Sequence, residues 1–423
     1  MDILFSNNKN KKLILEKFFN KKNPLIDNNI TEIIDTLELI SNYWISNNFK
    51  MKNTFVNNSL GFIIPWISKK NSLKLLKLSF EDYRTLNDPL LFSNNKLSMF
   101  ARPQGTALHW LAGNVPVISL ISLFQGILTK NKNIIKVSKT YKVILPKIFE
   151  DLKKNLKLNN KLKKILENIL DSLLIIYVDH DDEKNLNYIS KNSDIRIIWG
   201  GEEAVTKIAQ LPKKISCKDI IFGPKVSMAY ISKNKINTKK DIKNFSDLFV
   251  NDVFNFDQLG CNSPHNLFVE KGSRFELIEI ANILSTSFKN KILKINSPTD
   301  PTNKYNILMK NFIHSLVKDN EIINDKNFEW NIYINKKPKV EEPLYNRSIF
   351  INLINSYKDL ANIMPVNTQS IGLYVNTNEK KHIVKKLSYK CGDRFPDIGK
   401  MSLYETPWDG FLPLQNMIRW ISY

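Results

Sequence analysis

The sequence predicts an α/β fold, because short β-branched runs alternate along the chain with amphipathic helical segments. Three strand-like runs, at residues 133–137, 173–178 and 195–199, each follow ten or more residues of helical pattern. Strands connected by helices form βαβ units, whose strands lie parallel in one sheet. We therefore expect a mostly parallel sheet that begins near residue 107.

The first hundred residues are expected to be helical, with Asn-rich connections between the helices. Residues 30–44, for example, repeat apolar side chains every three or four positions, which is the period of a helix with one buried face. This part of the chain contains no catalytic motif.

A second α/β region is expected to follow Pro224. Strands are predicted at residues 227–231, 266–269 and 348–353, and a long helix at residues 275–289. These elements again alternate, which favours a second sheet with helices packed on it.

Two segments near the C-terminus are predicted to lie outside this sheet. Residues 318–339 are rich in Asn and Lys with weak periodicity, which is typical of a surface insertion. The turn sequence at residues 406–410 is flanked by Tyr404, Trp420 and Tyr423. These aromatic side chains predict a tail that packs back onto the body of the protein.

The strongly basic composition first suggests a polyanionic partner. Lys and Arg number 62 against 41 acidic residues, a net charge of +21. Only seven of these cations are Arg, whereas recognition of phosphates and bases favours guanidinium groups. We interpret the lysines as a solvated surface and expect no nucleic-acid partner; a polyanion-binding protein is kept as an alternative function.

Metal and disulfide chemistry are not expected. The three cysteines, Cys217, Cys261 and Cys391, are widely spaced, and no two of the five histidines have helical ligand spacing. One reduced cysteine acting as a nucleophile is the remaining chemical option.

No transmembrane helix is expected either. The longest apolar stretch, residues 115–128, is interrupted by polar residues and is shorter than the ~20 residues that span a bilayer. The first residues contain no signal-like apolar run, so we expect a cytoplasmic protein.

The first informative motif is Gly-Asn-Val-Pro at residues 113–116, which opens an apolar helix and precedes the strand Ile-Ile-Lys-Val-Ser at 134–138. Free N–H groups at a helix start attract phosphate, and Lys136 at the strand end could bind a ribose or a phosphate. Alternatively, Asn114 only caps the helix and Lys136 is solvated. The residues alone leave both interpretations open.

A glycine pair, Gly200 and Gly201, lies between a strand and a helix and allows a ligand to approach the backbone closely. Ordinary turn chemistry is the simpler explanation of the pair. The sequence has neither Gly-x-Gly-x-x-Gly nor Gly-Lys-Ser/Thr, which excludes a standard Rossmann fingerprint and a P-loop.

The third motif is Gln-Leu-Gly-Cys-Asn-Ser-Pro-His at residues 258–265. Its small polar residues and proline predict an irregular loop in which the Cys261 thiol is accessible, whereas Cys217 and Cys391 have no comparable setting. His265 is a possible base, but in an extended segment it need not face the thiol. A buried, inert cysteine is the alternative.

Two further segments join these motifs: Trp-Gly-Gly-Glu-Glu-Ala-Val at 199–205 and Phe-Gly-Pro-Lys at 222–225. Taken in their order along the chain, the motifs resemble the aldehyde dehydrogenase superfamily. More closely, the chain is similar to the acyl-CoA reductase family that supplies fatty aldehyde in bacterial bioluminescence. The resemblance covers residues 101–423; the first hundred residues match in helical character only. It implies an aldehyde-dehydrogenase-like fold, with a Rossmann-type cofactor domain and an α/β catalytic domain.

The resemblance also implies a reaction, the NADPH-dependent reduction of a long-chain fatty acyl thioester to the aldehyde. Cys261 would attack the thioester carbonyl to give an acyl-enzyme. The side-chain amide of Asn114 and the backbone N–H of Cys261 would stabilise the oxyanion. The residues implied to bind the cofactor are Lys136, Ser138, Gly200 and Gly201.

One position departs from the oxidising members of the superfamily, which carry a general-base glutamate in the motif Glu-Leu-Gly-Gly-Lys. The aligned stretch here is Ile-Phe-Gly-Pro-Lys at residues 221–225, so the position of the glutamate is Ile221. Without that base, water is poorly activated to hydrolyse an acyl-enzyme. The departure favours a thioester reductase over an acid-forming dehydrogenase.

The resemblance divides the chain into four parts. Residues 1–98 are expected to be the helical part of the cofactor domain, 99–225 the cofactor-binding domain, 226–395 the catalytic domain and 396–423 a tail that packs on the body. Expected partners are acyl-CoA or an acyl-protein, an acyl-protein synthetase or transferase, and further copies of the chain in a homo-oligomer. A cysteine acyltransferase or hydrolase that uses no nucleotide is the alternative enzyme.

Overall fold

The chain folds into two compact units in a computed structural model. One unit is Met1–Gly223 together with Tyr404–Tyr423, and the other is Pro224–Leu403. The functional division of the chain into four parts stays a prediction. The residues that the structure describes are 2–4, 11–92, 97–111, 113, 115–294, 301–390 and 392–423.

Strands and helices alternate through most of the chain. The strands are β1 (Asp2–Leu4), β2 (Leu90–Phe92), β3 (Leu97–Pro103), β4 (Thr106–Trp110), β5 (Lys132–Lys136), β6 (Leu173–Ile176), β7 (Ile195–Trp199), β8 (Lys218–Phe222), β9 (Val226–Ile231), β10 (Pro264–Glu270), β11 (Glu321–Asn324), β12 (Asn331–Asn335), β13 (Ser348–Ile354), β14 (Thr368–Tyr374) and β15 (Ile418–Ser422). The helices are α1 (Lys11–Asn20), α2 (Ile30–Ile45), α3 (Lys52–Asn57), α4 (Ile63–Ile67), α5 (Lys69–Ser79), α6 (Val117–Leu128), α7 (Ile144–Asn155), α8 (Asn160–Asp171), α9 (Glu183–Asn192), α10 (Glu202–Ala209), α11 (Lys239–Phe254), α12 (Leu277–Ile292), α13 (Pro301–Ser315), α14 (Tyr357–Ile363), α15 (Thr377–Ser388) and α16 (Pro413–Asn416).

The first unit is built on a parallel sheet with the strand order β1-β6-β5-β4-β7-β8. Its central strands carry apolar side chains that are fully buried, such as Leu108, Ile134 and Ile198. All residues of α6 are buried as well, so this helix passes through the core. The predicted parallel α/β sheet is confirmed, and the carboxyl ends of β4, β5 and β7 lie along one edge of it.

The C-terminal tail completes a separate three-stranded sheet in the first unit. Strand β15 pairs antiparallel with β3, which also pairs with β2. The ring of Trp420 packs edge-on against Phe80, with 6.0 Å between the ring centroids. Strand β15 and Trp420 thus pack on the first unit, while the predicted tail of residues 396–423 as a separate part stays a prediction.

The second unit contains a six-stranded sheet with the order β11-β12-β13-β10-β9-β14, parallel except at the edge strand β11. The predicted surface insertion at residues 318–339 is wrong, because β11 and β12 belong to this sheet. Every residue of β12 is buried. A strand covered on both faces lacks the alternation that would reveal it.

The longest described helices, α2, α11 and α12, have 16 residues each. Within the ranges given above, none of the helices combines the length and the apolar composition needed to cross a bilayer.

Candidate active site

The thiol of Cys261 lies in a tight turn that leads into β10, in the second unit. The Ser263 N–H donates to the Gly260 carbonyl at 2.9 Å and closes the turn. The Cys261 carbonyl accepts a 2.7 Å hydrogen bond from the Ser227 hydroxyl, and Cys261 itself is half-buried. The cysteine is therefore held by its backbone while its side chain is partly accessible.

The segment before the turn has an unusual backbone that is fixed by a buried glutamine. Phe256, Asp257 and Gln258 have φ values of +55°, +55° and +62°, which are strained for residues other than glycine. The Gln258 side chain donates to the Pro264 and Ser348 carbonyls and accepts from the Ser348 N–H, each at 2.9 Å. These bonds maintain the strained path and set the position at which the cysteine emerges.

Gln369, on β14, places a hydrogen-bond donor against the nucleophile. Its Nε2 lies 3.3 Å from the Cys261 Sγ, and the residue is fully buried. The backbone carbonyl of Gln369 accepts from the N–H groups of Asp393 and Arg394 at 2.8 and 2.9 Å. Because an N–H donor stabilises an ionised sulfur more than a neutral thiol, this contact favours the thiolate.

We expect Gln369→Leu to slow alkylation of Cys261 by iodoacetamide near neutral pH by about three- to tenfold, the equivalent of losing one hydrogen bond of about 1 kcal/mol. The pH–rate profile of alkylation, followed by intact mass, measures the effect. Gln210→Leu is the matched control, because Gln210 is exposed. An unchanged profile in Gln369→Leu would exclude a role for this donor.

The buried guanidinium of Arg394 supports the turn that contains Cys261 through a series of hydrogen bonds. Arg394 is 7% exposed; it donates to the Ser370 hydroxyl at 3.2 Å and to the Leu403 carbonyl at 2.7 Å. The Ser370 N–H in turn donates to the Ser227 hydroxyl at 3.2 Å, which holds Cys261. This series of hydrogen bonds connects β9, β14 and the nucleophile turn.

Asp252, at the end of α11, holds the chain that follows Arg394. Its carboxylate accepts from the Gly399 and Met401 N–H groups at 2.5 and 3.0 Å. The Met401 carbonyl accepts a 3.0 Å bond from the Asn262 amide, directly after the nucleophile. Burial raises the pKa of Asp252 to about 6, although these N–H groups and Arg394 act in the opposite direction.

This raised pKa predicts a pH dependence of stability. The folded state retains the Asp252 proton to a higher pH than the unfolded chain does, so stability is lost as the pH rises through about 6. We expect the unfolding free energy of wild type, relative to Asp252→Asn, to fall by about 2 kcal/mol between about pH 4 and pH 7. Urea titrations of both proteins across this range measure it; a constant difference would contradict the assignment.

His265 is not arranged as a base. It is 4% exposed, its ring packs edge-on against Tyr345 at 5.3 Å, and its Nδ1 has no hydrogen-bond partner within the described part of the chain. Burial lowers its pKa to about 3, so the ring is neutral near pH 7. Gln369, by contrast, contacts the thiol directly.

Three other candidates from the sequence are Cys217, Cys391 and Asn114. Cys217 is 6% exposed, and burial raises its pKa, so it is a poor nucleophile. Cys391 and Asn114 lie outside the described residues, and their assignments stay predictions.

The predicted cofactor residues of the first unit lie at the carboxyl edge of its sheet. Lys136 ends β5, and its ammonium lies 5.9 Å from the centre of the Trp110 ring; burial lowers its pKa. Gly113 lies against Ser138, because a Cβ at Gly113 would be 3.3 Å from the Ser138 Oγ. Gly201 caps α10 without a side chain. Parallel sheets bind dinucleotides at this edge.

Three polar atoms at this edge are buried and have no hydrogen-bond partner among the residues that the structure describes. They are the Ser138 Oγ and the indole Nε1 atoms of Trp110 and Trp199. The Trp199 ring stacks on Phe222 with 3.7 Å between the centroids; it lies on the face of the sheet opposite to Trp110, because neighbouring Ile198 pairs with Trp110. Buried donors at the carboxyl edge of the sheet, together with the glycine backbone of the turns, fit a dinucleotide.

Comparison with known proteins identifies the family. Residues 25–420 match the family model of acyl-CoA reductase (LuxC). The chain belongs to this acyl-CoA reductase family. It is therefore an enzyme of the aldehyde-forming reductase class, as the sequence predicted.

Relatives of this acyl-CoA reductase span nearly its whole length. The "Long-chain acyl-protein thioester reductase" of Photorhabdus luminescens is 24% identical, covering 96% of this chain and 84% of the relative. The protein of the same name from Aliivibrio fischeri is 22% identical, with 94% and 83% covered.

The predicted aldehyde-dehydrogenase-like fold of the reductase is confirmed by solved structures. The NAD-dependent aldehyde dehydrogenase of Sinorhizobium meliloti matches with a TM-score of 0.69 and 10% identity, covering 96% of this chain and 84% of that one. GapN, a glyceraldehyde-3-phosphate dehydrogenase of Methanocaldococcus jannaschii complexed with NADP, matches with a TM-score of 0.67 and 12% identity, covering 97% and 93%.

The sequence did not predict a role for four residues of these two sites in the reductase: Gln369, Arg394, Trp110 and Trp199. The two tryptophans could have been noticed, because each ends a strand whose carboxyl end borders a predicted glycine turn. Gln369 and Arg394 carry no local signal. In the described ranges of this acyl-CoA reductase, no three His, Cys, Asp or Glu side chains are grouped to hold a metal ion.

Proposed function

We propose that this acyl-CoA reductase converts a long-chain fatty acyl thioester, on CoA or on a protein, to the fatty aldehyde with NADPH through an acyl-enzyme on Cys261. The observation that carries the proposal is the half-buried thiol in a fixed turn, with the Gln369 amide donating to its sulfur. A thiol in this setting is a nucleophile, and a thioester is an acyl donor that it can accept.

The first step is attack of the Cys261 thiolate on the thioester carbonyl. A carbon–sulfur bond to Cys261 forms, the bond to the leaving thiol breaks, and that thiolate takes up a proton as it departs. The Asn114 amide and the Cys261 N–H are proposed to stabilise the oxyanion of this step. Gln369 keeps the sulfur oriented before attack.

The position aligned with the general-base glutamate determines the proposed fate of the acyl-enzyme. Ile221, the residue aligned with the glutamate of oxidising dehydrogenases, is an apolar side chain that is 42% exposed on β8. It cannot take a proton from water. Hydrolysis to the acid is therefore slow, and the acyl group remains available for reduction.

The cofactor is proposed to bind at the carboxyl edge of the first sheet, through Lys136, Ser138, Gly200 and Gly201. When bound, reduced nicotinamide supplies the hydride that converts the thioester to the aldehyde. A phosphate beside Lys136 would compensate the burial that now lowers the pKa of its ammonium. Lys136 suits either cofactor, so the proposal of NADPH over NADH rests on the family resemblance.

The partners proposed for the reaction follow from the relatives, which are named acyl-protein thioester reductases. An acyl-protein would be loaded by a synthetase or transferase and would present the same thioester group as acyl-CoA. Assembly as a homo-oligomer stays a prediction.

The test is to mix the purified protein with a long-chain acyl-CoA and NADPH, and to follow NADPH absorbance, aldehyde and intact mass together. We expect NADPH to be consumed in equal amount to the aldehyde formed, with an acyl adduct when NADPH is omitted. An adduct without reduction would indicate acyl transfer instead, and the absence of both signals would refute the proposal.

A further inference from the structure

Helix α13 packs onto the second unit with its apolar side facing solvent. Five large apolar residues spaced three and four positions apart along the helix, and two in the turn directly after it, are between 43% and 69% exposed. We call them the α13 face; they are Tyr305, Leu308, Met309, Phe312, Ile313, Leu316 and Val317. A helix of a water-soluble domain normally buries such a stripe, so this face requires a partner.

Polar contacts on the opposite side of α13 fix the orientation of this helix. Asn311 accepts a 2.7 Å hydrogen bond from the Tyr333 hydroxyl, and the His314 Nε2 lies 3.2 Å from the Ile334 carbonyl. Lys310 pairs with Glu341 at 2.8 Å. Specific polar contacts thus fix the inward side and leave the apolar side outward.

The charges within α13 and the turn after it are all positive. From residue 301 to residue 318 the chain contains Lys304, Lys310 and Lys318, while Asp300 and Asp319 flank this stretch and Asp319 pairs with Lys336. Lys310 is matched by Glu341. Lys304 and Lys318 make no ion pair with any residue in the described ranges. The α13 face is therefore an apolar stripe with two unmatched cations, on a chain of net charge +21.

We propose that the α13 face binds the surface of an anionic lipid bilayer, with the helix lying in the interface. Apolar side chains would enter the acyl region while Lys304 and Lys318 meet the headgroups, the usual combination in interfacial helices. A second copy of this chain suits the face less well. A second copy carries the same net charge of +21, so repulsion opposes the pairing of two copies, whereas an anionic surface attracts each copy.

A bilayer also suits the chemistry of the reaction, an argument that rests on the proposed function. A long-chain acyl thioester and a fatty aldehyde both partition into membranes. A reductase seated on the surface would release its product there rather than into water.

The experiment is co-sedimentation of the full-length protein with vesicles, without any substrate. Vesicles of phosphatidylcholine alone are compared with vesicles that also contain phosphatidylglycerol. We expect binding to the anionic vesicles, and a loss of at least about tenfold in the triple variant Leu308→Ser, Phe312→Ser and Leu316→Ser. The double variant Lys304→Gln and Lys318→Gln should lose the preference for phosphatidylglycerol.

The matched control replaces exposed apolar residues elsewhere, Ile215→Ser and Val366→Ser, which are 106% and 90% exposed and should leave binding unchanged. Equal sedimentation of wild type and triple variant, or none for wild type, would overturn the proposal. A dimer in analytical ultracentrifugation that only the triple variant abolishes would instead assign the face to a second copy. Because no turnover is measured, failure here leaves the reductase test unaffected.

Discussion

Replacing Cys261 with alanine is expected to abolish both the acyl adduct and the formation of aldehyde. The proposed first step transfers the acyl group to this sulfur, and alanine has no atom that can accept it. Loss of a covalent nucleophile lowers the rate by on the order of 10⁴-fold or more. Intact mass after mixing with acyl-CoA measures the adduct, and NADPH absorbance measures the reduction.

The control for this variant is Cys217→Ala, which removes the other described cysteine. Cys217 is buried, and its pKa is raised by that burial, so acylation and reduction should continue at the wild-type rate. Substantial acyl adduct in Cys261→Ala, or loss of the adduct in Cys217→Ala, would place the nucleophile elsewhere. Retained affinity for NADPH in Cys261→Ala would show that the variant is folded.

The parts of the fold that could be predicted are those encoded locally. The strand predicted at residues 195–199 is β7 (Ile195–Trp199), and the helix predicted at residues 30–44 is α2 (Ile30–Ile45). Each element has its own hydrophobic periodicity, and the alternation of strands and helices predicts that the strands pair in parallel.

Strand β12 was mispredicted because its pattern carries no such information. Asn331 and Asn335 at its ends resemble a polar loop, yet both are buried. The Asn331 amide donates to the Ser348 hydroxyl at 3.1 Å, and the Asn335 amide donates to the Asn352 side chain at 2.9 Å. Acceptors on β13 pair with the N–H groups of these amides, and the pattern of the strand alone could not reveal them.

The candidate site likewise contains residues that consecutive sequence reveals and residues that only the fold brings together. The motif around Cys261 was found because its residues are consecutive, and so was Ser138 beside Lys136. Gln369 lies 108 positions from Cys261 in the chain, and only the pairing of β14 with β9 brings it to the thiol. A residue whose role depends on sheet register has no sequence signal of its own.

Asn114→Ala is expected to leave a slower reaction, with acylation reduced by about 10²–10³-fold. The resemblance assigns to this side chain one of the two donors for the oxyanion, and the Cys261 N–H would remain as the second. A donor that acts on the developing charge lowers the acylation rate much more than it changes the binding of the thioester. Single-turnover acylation, followed by intact mass over a range of acyl-CoA concentrations, separates the two effects.

Asn47→Ala is the control, because Asn47 is an exposed amide in a turn of the N-terminal region. It should acylate at the wild-type rate. Alkylation of Cys261 by iodoacetamide forms no oxyanion, so Asn114→Ala should retain normal alkylation while acylation falls. Slow alkylation as well would mean that Asn114 positions the nucleophile, and wild-type acylation would refute the oxyanion assignment.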